Sequence, residues 1–112
     1  MQYTMSCPSV FSATLGLSHP WQVVSINFAK DERRLDITID FVHGSTFVCP
    51  TCGTEKKCSD SGEEIWFHAD YFRYQTYLHA RVPKVECTLC GIEKVERPWS
   101  RSGSKFTLVE GT

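Results

Sequence analysis

The sequence predicts a small, mainly β domain of the zinc-ribbon type, with an inserted β-hairpin, an N-terminal β-hairpin and little helix. Three observations support this prediction: a pair of matching cysteine motifs, several stretches in which apolar and polar residues alternate, and a length of only 112 residues. A chain this short buries a limited hydrophobic core. A bound metal would therefore add to the stability of its fold.

The cysteine motifs are CPTCG at Cys49–Gly53 and CTLCG at Cys87–Gly91. Each motif places two thiols two residues apart, so both sulfurs can reach one metal ion from a single tight turn. Each motif ends in a glycine, which can adopt the positive φ that such a turn needs. Two motifs supply four thiolates, which is the complete shell of a closed structural zinc site. The predicted ligands of one Zn²⁺ ion are Cys49, Cys52, Cys87 and Cys90.

Other uses of these cysteines are two disulfides, two redox dithiols, or a rubredoxin-like iron site on the same motifs. The N-terminus has no basic region followed by an apolar stretch, so it does not resemble a signal peptide. We therefore expect a cytoplasmic protein with reduced cysteines, which favours metal over disulfides. The two remaining cysteines, Cys7 and Cys58, are expected to be free thiols. The four histidines are not expected to bind the metal.

The segments before the first cysteine motif predict a hairpin. Trp21–Phe28 is rich in β-branched and aromatic residues, and Leu35–Phe41 alternates strictly between apolar and polar residues. The charged segment Ala29–Arg34 between them predicts the turn. A second turn at His43–Ser45 leads into the first cysteine motif. Upstream, Ser9–Leu17 is expected to hold one or two helical turns at most.

The segment Gly53–Glu86 between the motifs exceeds the spacing of about 15–20 residues common in such sites. We expect the additional residues to form the inserted hairpin, packed against the N-terminal hairpin. The predicted parts are a polar stretch at Thr54–Glu63 with a turn at Ser59–Gly62, strands at Ile65–Phe67 and Tyr71–Val82, an end to regular structure at Pro83, and an outgoing strand at Ile92–Arg97. The predicted domain spans residues 15–109, between a flexible N-terminus at 1–14 and a tail at 110–112.

No pattern in the sequence predicts catalysis. A zinc deaminase needs a His-x-Glu motif, and none of the four histidines is followed by glutamate at that spacing. Neither HExxH nor a P-loop occurs, and four cysteines leave no zinc position for a reactive water. The formal net charge is −1 and would be about −3 with four thiolates and one zinc ion. Nucleic-acid binding would therefore need a local basic surface.

The segment Trp66–Thr107 combines an aromatic-His-x-Asp start, the CTLCG motif and a closing V-x-x-P-W-S-R-x-G-S-x-F-T stretch. In these motifs it resembles the N-terminal zinc-binding region of ISL-three-type insertion-sequence transposases. With the segments LGLSHPWQVVSINF and FVCPTCG upstream, the resemblance covers Leu15 to Val109. Its most specific part is the closing stretch. The matching positions are Trp66, His68 and Asp70, then Cys87, Cys90 and Gly91, then Val95, Pro98, Trp99, Arg101, Gly103, Ser104, Phe106 and Thr107.

The resemblance implies zinc binding and a role in recognising the terminal repeats of a transposon in a bacterial cytoplasm. The full-length transposases continue into a helix-turn-helix region and a DDE-type catalytic domain. This chain ends at Thr112, so we expect an N-terminal domain, a truncated copy or a stand-alone relative. We expect no catalytic residues, no small-molecule substrate and no membrane.

Two clusters of basic residues could contact DNA. Arg97, Arg101 and Lys105 lie in a stretch with no acidic residue, where Trp99, expected to be a packing anchor, and Phe106 are interleaved. Arg73 and Arg81 share one face of a predicted strand. The alternative function is a structural or protein-interaction zinc module that orients or dimerises neighbouring domains. A continuous basic surface would favour DNA binding, whereas an exposed apolar patch would favour self-association.

Overall fold

The computed structural model describes residues 2–4, 14–71, 73–100 and 105–111. These residues form a mainly β domain, as predicted. Among them, no helix combines the length and apolar character needed to cross a bilayer. The strands are β1 (Gln2–Thr4), β2 (Trp21–Ala29), β3 (Arg34–Phe41), β4 (Thr46–Val48), β5 (Glu55–Tyr71), β6 (Tyr74–Cys87), β7 (Gly91–Lys94) and β8 (Thr107–Gly111).

Both predicted hairpins are present, and they are joined edge to edge in one sheet. β2 and β3 form the N-terminal antiparallel hairpin, and β5 and β6 form the long inserted one. The hairpins join because β3 pairs with β6 in parallel, so the described strands run in the order β1-β2-β3-β6-β5-β4. β7 pairs with β6 and β8 pairs with β5. Residues 2–4 and 110–111 pair with the sheet, and the predicted domain boundaries stay a prediction.

The predicted turn at Ser59–Gly62 is wrong, because these residues continue β5. The pairing with β6 shifts between Cys58 and Asp60, so the extra residue forms a bulge rather than a turn. The Ser59 hydroxyl donates a hydrogen bond to the carbonyl of Lys84 at 3.2 Å. Pairing with a neighbouring strand therefore overrides the local turn preference of these residues.

Three other predicted boundaries also move. Pro83 does not end the regular structure: β6 continues to Cys87, and the Pro83 carbonyl accepts a hydrogen bond from Val95 N–H at 3.2 Å. The predicted strand Tyr71–Val82 is divided by a turn in which Arg73 adopts a φ of 68°. The outgoing strand ends at Lys94 rather than Arg97, because the chain then crosses the core.

The core lies on one face of the sheet, and the alternation in the sequence identifies much of it. Leu35, Ile37 and Ile39 of β3 are buried as predicted. In the alternating segment Tyr71–Val82, the sequence predicts that every second residue from Phe72 faces the core. Four of these residues on β6 are buried: Thr76, Leu78, Ala80 and Val82. Phe72, assigned to the same face, lies outside the described residues. Contact among the buried apolar side chains of β3 and β6 is the main source of stability for such a sheet.

The segment after β7 covers this core. Trp99 is buried, and its ring makes edge-to-face contacts with Trp21 and Trp66 at centroid distances of 5.3 and 6.3 Å. Such contacts add to the energy of burying the rings. The prediction that Trp99 is a packing anchor is therefore confirmed.

A buried carboxylate links the inserted hairpin to this covering segment. Glu64 has a side chain only 1% exposed and lies on the core face of β5. Its carboxylate forms ion pairs with Lys94 Nζ at 2.9 Å and Arg97 Nε at 3.4 Å. Trp66 Nε1 donates a hydrogen bond to it at 3.0 Å. A buried charge needs such partners, because burial without them is costly.

We predict that Glu64→Gln lowers the free energy of unfolding by about 3 kcal/mol. Breaking a buried ion pair costs about 3–5 kcal/mol. We expect the lower end, because the side chains of Lys94 and Arg97 are 31% and 23% exposed. Urea unfolding of the zinc-loaded protein measures the change. Glu96→Gln, at an exposed position, is the control, and equal stability of the two variants would contradict the prediction.

Candidate metal centre

The four cysteines of the two motifs meet at one end of the long hairpin. Their Sγ atoms all lie within 4.8 Å of one another. Cys49 follows β4 and Cys87 ends β6, while Cys52 and Cys90 lie in the turns that lead to β5 and β7. Strand pairing thus brings together two turns that are far apart in the chain.

Local hydrogen bonds shape the first turn. Gly53 N–H donates to the Cys49 carbonyl at 2.9 Å, and Cys49 N–H donates to the Thr54 carbonyl at 2.9 Å. Gly53 has a φ of 77° and the equivalent Gly91 has a φ of 84°. A Cβ atom at either position would meet nothing within 4 Å. The backbone conformation, rather than a lack of space, is therefore what requires glycine.

The four thiols differ in their surroundings. Cys49 and Cys87 are buried, Cys90 is half-buried and Cys52 is exposed. Hydrogen bonding to the hydroxyl and backbone of Thr54 lowers the pKa of Cys52 to about 6. Burial and the proximity of the other thiols raise the pKa of Cys90 to about 12. Cys52 thus ionises readily, whereas Cys90 resists ionisation while no cation is bound.

A divalent cation bound between the sulfurs would favour ionisation of all four thiols, because its positive charge offsets the repulsion among the thiolates. Sulfur atoms about 2.3 Å from one zinc ion in tetrahedral geometry lie about 3.8 Å from one another. The observed cluster is near this spacing, with Cys52 and Cys87 Sγ at 3.5 Å. Four thiolates complete the tetrahedral shell and leave no position for a reactive water, which is typical of a structural zinc site. The residues present therefore fit one structural zinc ion.

A further contact between the two turns supports the cluster of four thiols. Thr51, at the tip of the first turn, donates a hydrogen bond to Glu93 of β7 at 3.1 Å. The zinc ion would join the same two turns through its sulfur ligands. Both links hold the β4–β5 turn against the β6–β7 turn.

The remaining predicted non-ligands do not join the cluster. Cys58 lies in β5, where its thiol donates a hydrogen bond to the Asp60 carbonyl at 2.9 Å. His68 Nδ1 accepts a hydrogen bond from Asp70 N–H, and His79 Nε2 lies 2.7 Å from Asp36. Within the described ranges, the metal-ligating group contains only the four cysteines. Cys7 lies outside those ranges.

Of the five basic residues predicted to contact DNA, the four that the structure describes do not all lie together. Arg97 forms an ion pair with the buried Glu64. Arg81, on the outer face of the sheet, has Nη1 3.8 Å from Asp40 and donates from Nε to the Ser61 hydroxyl at 3.0 Å. Arg73 is exposed at the turn between β5 and β6, and Lys105 is exposed just before β8. Arg101 lies outside the described residues.

Two residues that shape these sites, Thr54 and Glu64, were not predicted from the sequence. Thr54 directly follows the first cysteine motif, and this position, one residue from Gly53, could have suggested contact with a sulfur. Glu64 gave no such signal, because it lies among polar residues and its partners Lys94 and Arg97 are distant in the chain. Only the sheet pairing reveals that it is buried.

Comparison with known proteins identifies the cysteine-rich segment. Residues 45–90 match the family model described as the zinc-finger of transposase IS204/IS1001/IS1096/IS1165. This range contains both cysteine motifs and most of the inserted hairpin. No curated protein and no solved structure matches the chain. Over residues 45–90 the match confirms the predicted family resemblance: this segment is similar to the zinc-ribbon domain of ISL3-type transposases.

We predict that Cys90→Ser abolishes stoichiometric zinc binding, because a hydroxyl does not replace a thiolate in this shell. Elemental analysis of the reduced, purified protein measures the zinc content. Cys58→Ser, which removes a half-buried thiol outside the cluster, is the matched control and should retain one zinc per chain. A Cys90→Ser protein that still holds one zinc would contradict the four-thiolate site.

Removing zinc with a chelator at neutral pH should loosen the end of the sheet that carries the cysteines. The thiols would lose their shared cation, and among the described residues the two turns would keep only weak contacts such as the peripheral Thr51–Glu93 hydrogen bond. We expect amide protons of β4 and β7 to exchange faster, as NMR-detected hydrogen exchange would show. Unchanged protection in the metal-free protein would contradict a structural role for the ion.

Proposed function

We propose that this protein is the zinc-binding module of a transposase and that it contributes to recognition of transposon-end DNA, without catalytic activity of its own. The observation that carries the proposal is the match of residues 45–90 to the transposase zinc-finger family. The clustering of four thiols within that segment supports it. The protein would act in the bacterial cytoplasm, where its cysteines stay reduced.

In this proposal Cys49, Cys52, Cys87 and Cys90 bind one zinc ion that has a mechanical role. The ion holds the two turns together and so fixes the start of β5 and the end of β6. These strands run the length of the molecule. Zinc binding at one end therefore anchors the hairpin that also carries the exposed basic residues. The closed sulfur shell keeps the ion from acting as a Lewis acid on a substrate.

The DNA contacts are the part of the proposal that depends on charge. Among the five basic residues predicted from the sequence, Arg73 and Lys105 are exposed and available to phosphate. Arg81 and Arg97 share their charge with carboxylates, so their attraction for phosphate is smaller. We therefore expect weak binding by the isolated module, with few phosphate contacts and a dependence on salt concentration.

The alternative is a module that orients or dimerises neighbouring domains. Exposed apolar side chains near the cysteine turns favour it: Leu89 is 86% exposed, Ile92 is 68% exposed and Val48 is 55% exposed. Exposed apolar residues that form a continuous patch commonly mark protein contacts.

A gel-shift titration of zinc-loaded protein with a mixed-sequence duplex, at increasing salt, separates the two functions. We predict a shift at low salt that weakens as salt rises, because each phosphate contact releases a counterion. Sedimentation of the same sample, with Leu89→Ser as the comparison, reports self-association. No shift at low salt, together with a dimer that Leu89→Ser dissociates, would favour the alternative.

A further inference from the structure

We infer that DNA contacts the end of the sheet opposite the zinc site, through a cluster formed by Lys30, Arg33, Arg73 and Lys105, here called the distal basic end. This inference rests on the proposed DNA-binding function and specifies the surface that carries it. Two of its residues, Lys30 and Arg33, belong to neither basic cluster in the sequence.

Strand pairing places these residues together. β5 has 17 residues and at about 3.3 Å per residue spans the molecule, whose long axis is 49 Å. Arg73 lies in the turn at the end of β5, opposite the cysteines. The Arg33 carbonyl accepts a hydrogen bond from Gln75 N–H at 2.9 Å, which fixes the β2–β3 turn beside the β5–β6 turn.

Lys30 and Lys105 join the same end through their neighbours. Lys30 begins the short turn that Arg33 closes, and Arg33 N–H donates to the Lys30 carbonyl at 3.2 Å. Lys105 precedes Phe106, whose ring packs against His68 and Tyr71 at centroid distances of 5.0 and 5.3 Å. These contacts hold the start of β8 beside the end of β5. All four cations are exposed.

The backbone gives independent support for a role of the two arginines. Arg33 and Arg73 have φ values of 50° and 68°, a left-handed conformation that favours glycine and asparagine. Gly44, Gly53 and Gly91 occupy comparable conformations elsewhere in the chain. An unfavourable residue at a strained position is an indication of function. At this end the strain occurs twice, and both residues are cationic.

Arg34, next to this surface, is a weaker attractor for phosphate, because a carboxylate neutralises most of its charge. Arg34 donates two hydrogen bonds to the Asp36 carboxylate, at 2.9 and 3.0 Å. Burial alone would raise the pKa of Asp36, but Arg34 and His79 hold it below its ordinary value, so Asp36 stays ionised. Within the described part of the chain, no ion pair joins Lys30, Arg33, Arg73 or Lys105 to a carboxylate.

The zinc end is unsuited to a polyanion by comparison. Four thiolates and one zinc ion carry a net charge of −2, and the exposed Glu86 and Glu96 lie near them. The two ends are separated by several Debye lengths of about 8 Å at physiological salt, so each end presents its own field. Asp31, Glu32 and Asp70 share the distal end, which keeps its attraction modest and its binding sensitive to salt.

The test compares two double variants of the full, zinc-loaded chain. Arg33→Asn/Arg73→Asn removes two cations from the distal basic end with a residue that tolerates the left-handed conformation, so the fold should be retained. Lys57→Gln/Lys84→Gln removes two cations from the zinc half of the hairpin and is matched in net charge. Zinc content and thermal unfolding confirm that both proteins are folded.

Binding to a mixed-sequence DNA duplex is then measured over a range of salt concentrations. We expect the distal double variant to bind more weakly and its log–log salt slope to fall by about 2, or about 1 for each lost phosphate contact. The control should keep the wild-type slope. Wild-type binding that both variants retain, or lose equally, overturns the distal site and leaves the proposed function intact. Absence of wild-type binding overturns both.

Discussion

The gathering of four thiols, whose Sγ atoms all lie within 4.8 Å of one another, is the constraint on which this fold depends. The sheet brings the two cysteine turns together, and four thiolates this close repel one another unless a cation lies between them. One zinc ion satisfies the requirement and converts a repulsive cluster into a link between the two turns. A small domain with a limited core gains from such a link, because metal binding contributes directly to folding free energy.

The long β5–β6 hairpin connects this metal link to the other sites of the molecule. At one end the hairpin is anchored by zinc. Near its middle, Glu64 holds the segment after β7 over the core through Lys94 and Arg97. At the far end the turn at Arg73 meets the turn at Arg33 through a backbone hydrogen bond. This arrangement separates the anionic metal site from the four cations of the distal basic end, and the further inference uses that separation.

Much of this arrangement could be predicted from the sequence because it is encoded locally. The cysteine spacing identified the metal set, and the alternation in Leu35–Phe41 identified a strand and its buried face. The failures share a different cause. Ser59–Gly62 has the composition of a turn but continues a strand, because β6 supplies its partners. Burial of Glu64 depends on two cations about 30 residues away. The parallel pairing of β3 with β6 leaves no signature in either segment.

The most direct test of the account is X-ray absorption spectroscopy at the zinc edge on the purified, reduced protein. The account predicts one zinc ion with four sulfur neighbours at about 2.3 Å, with no nitrogen or oxygen in the first shell. A shell with fewer than four sulfurs, or with a nitrogen or oxygen neighbour at about 2.0–2.1 Å, would contradict the tetrathiolate link from which the rest of the structure is argued.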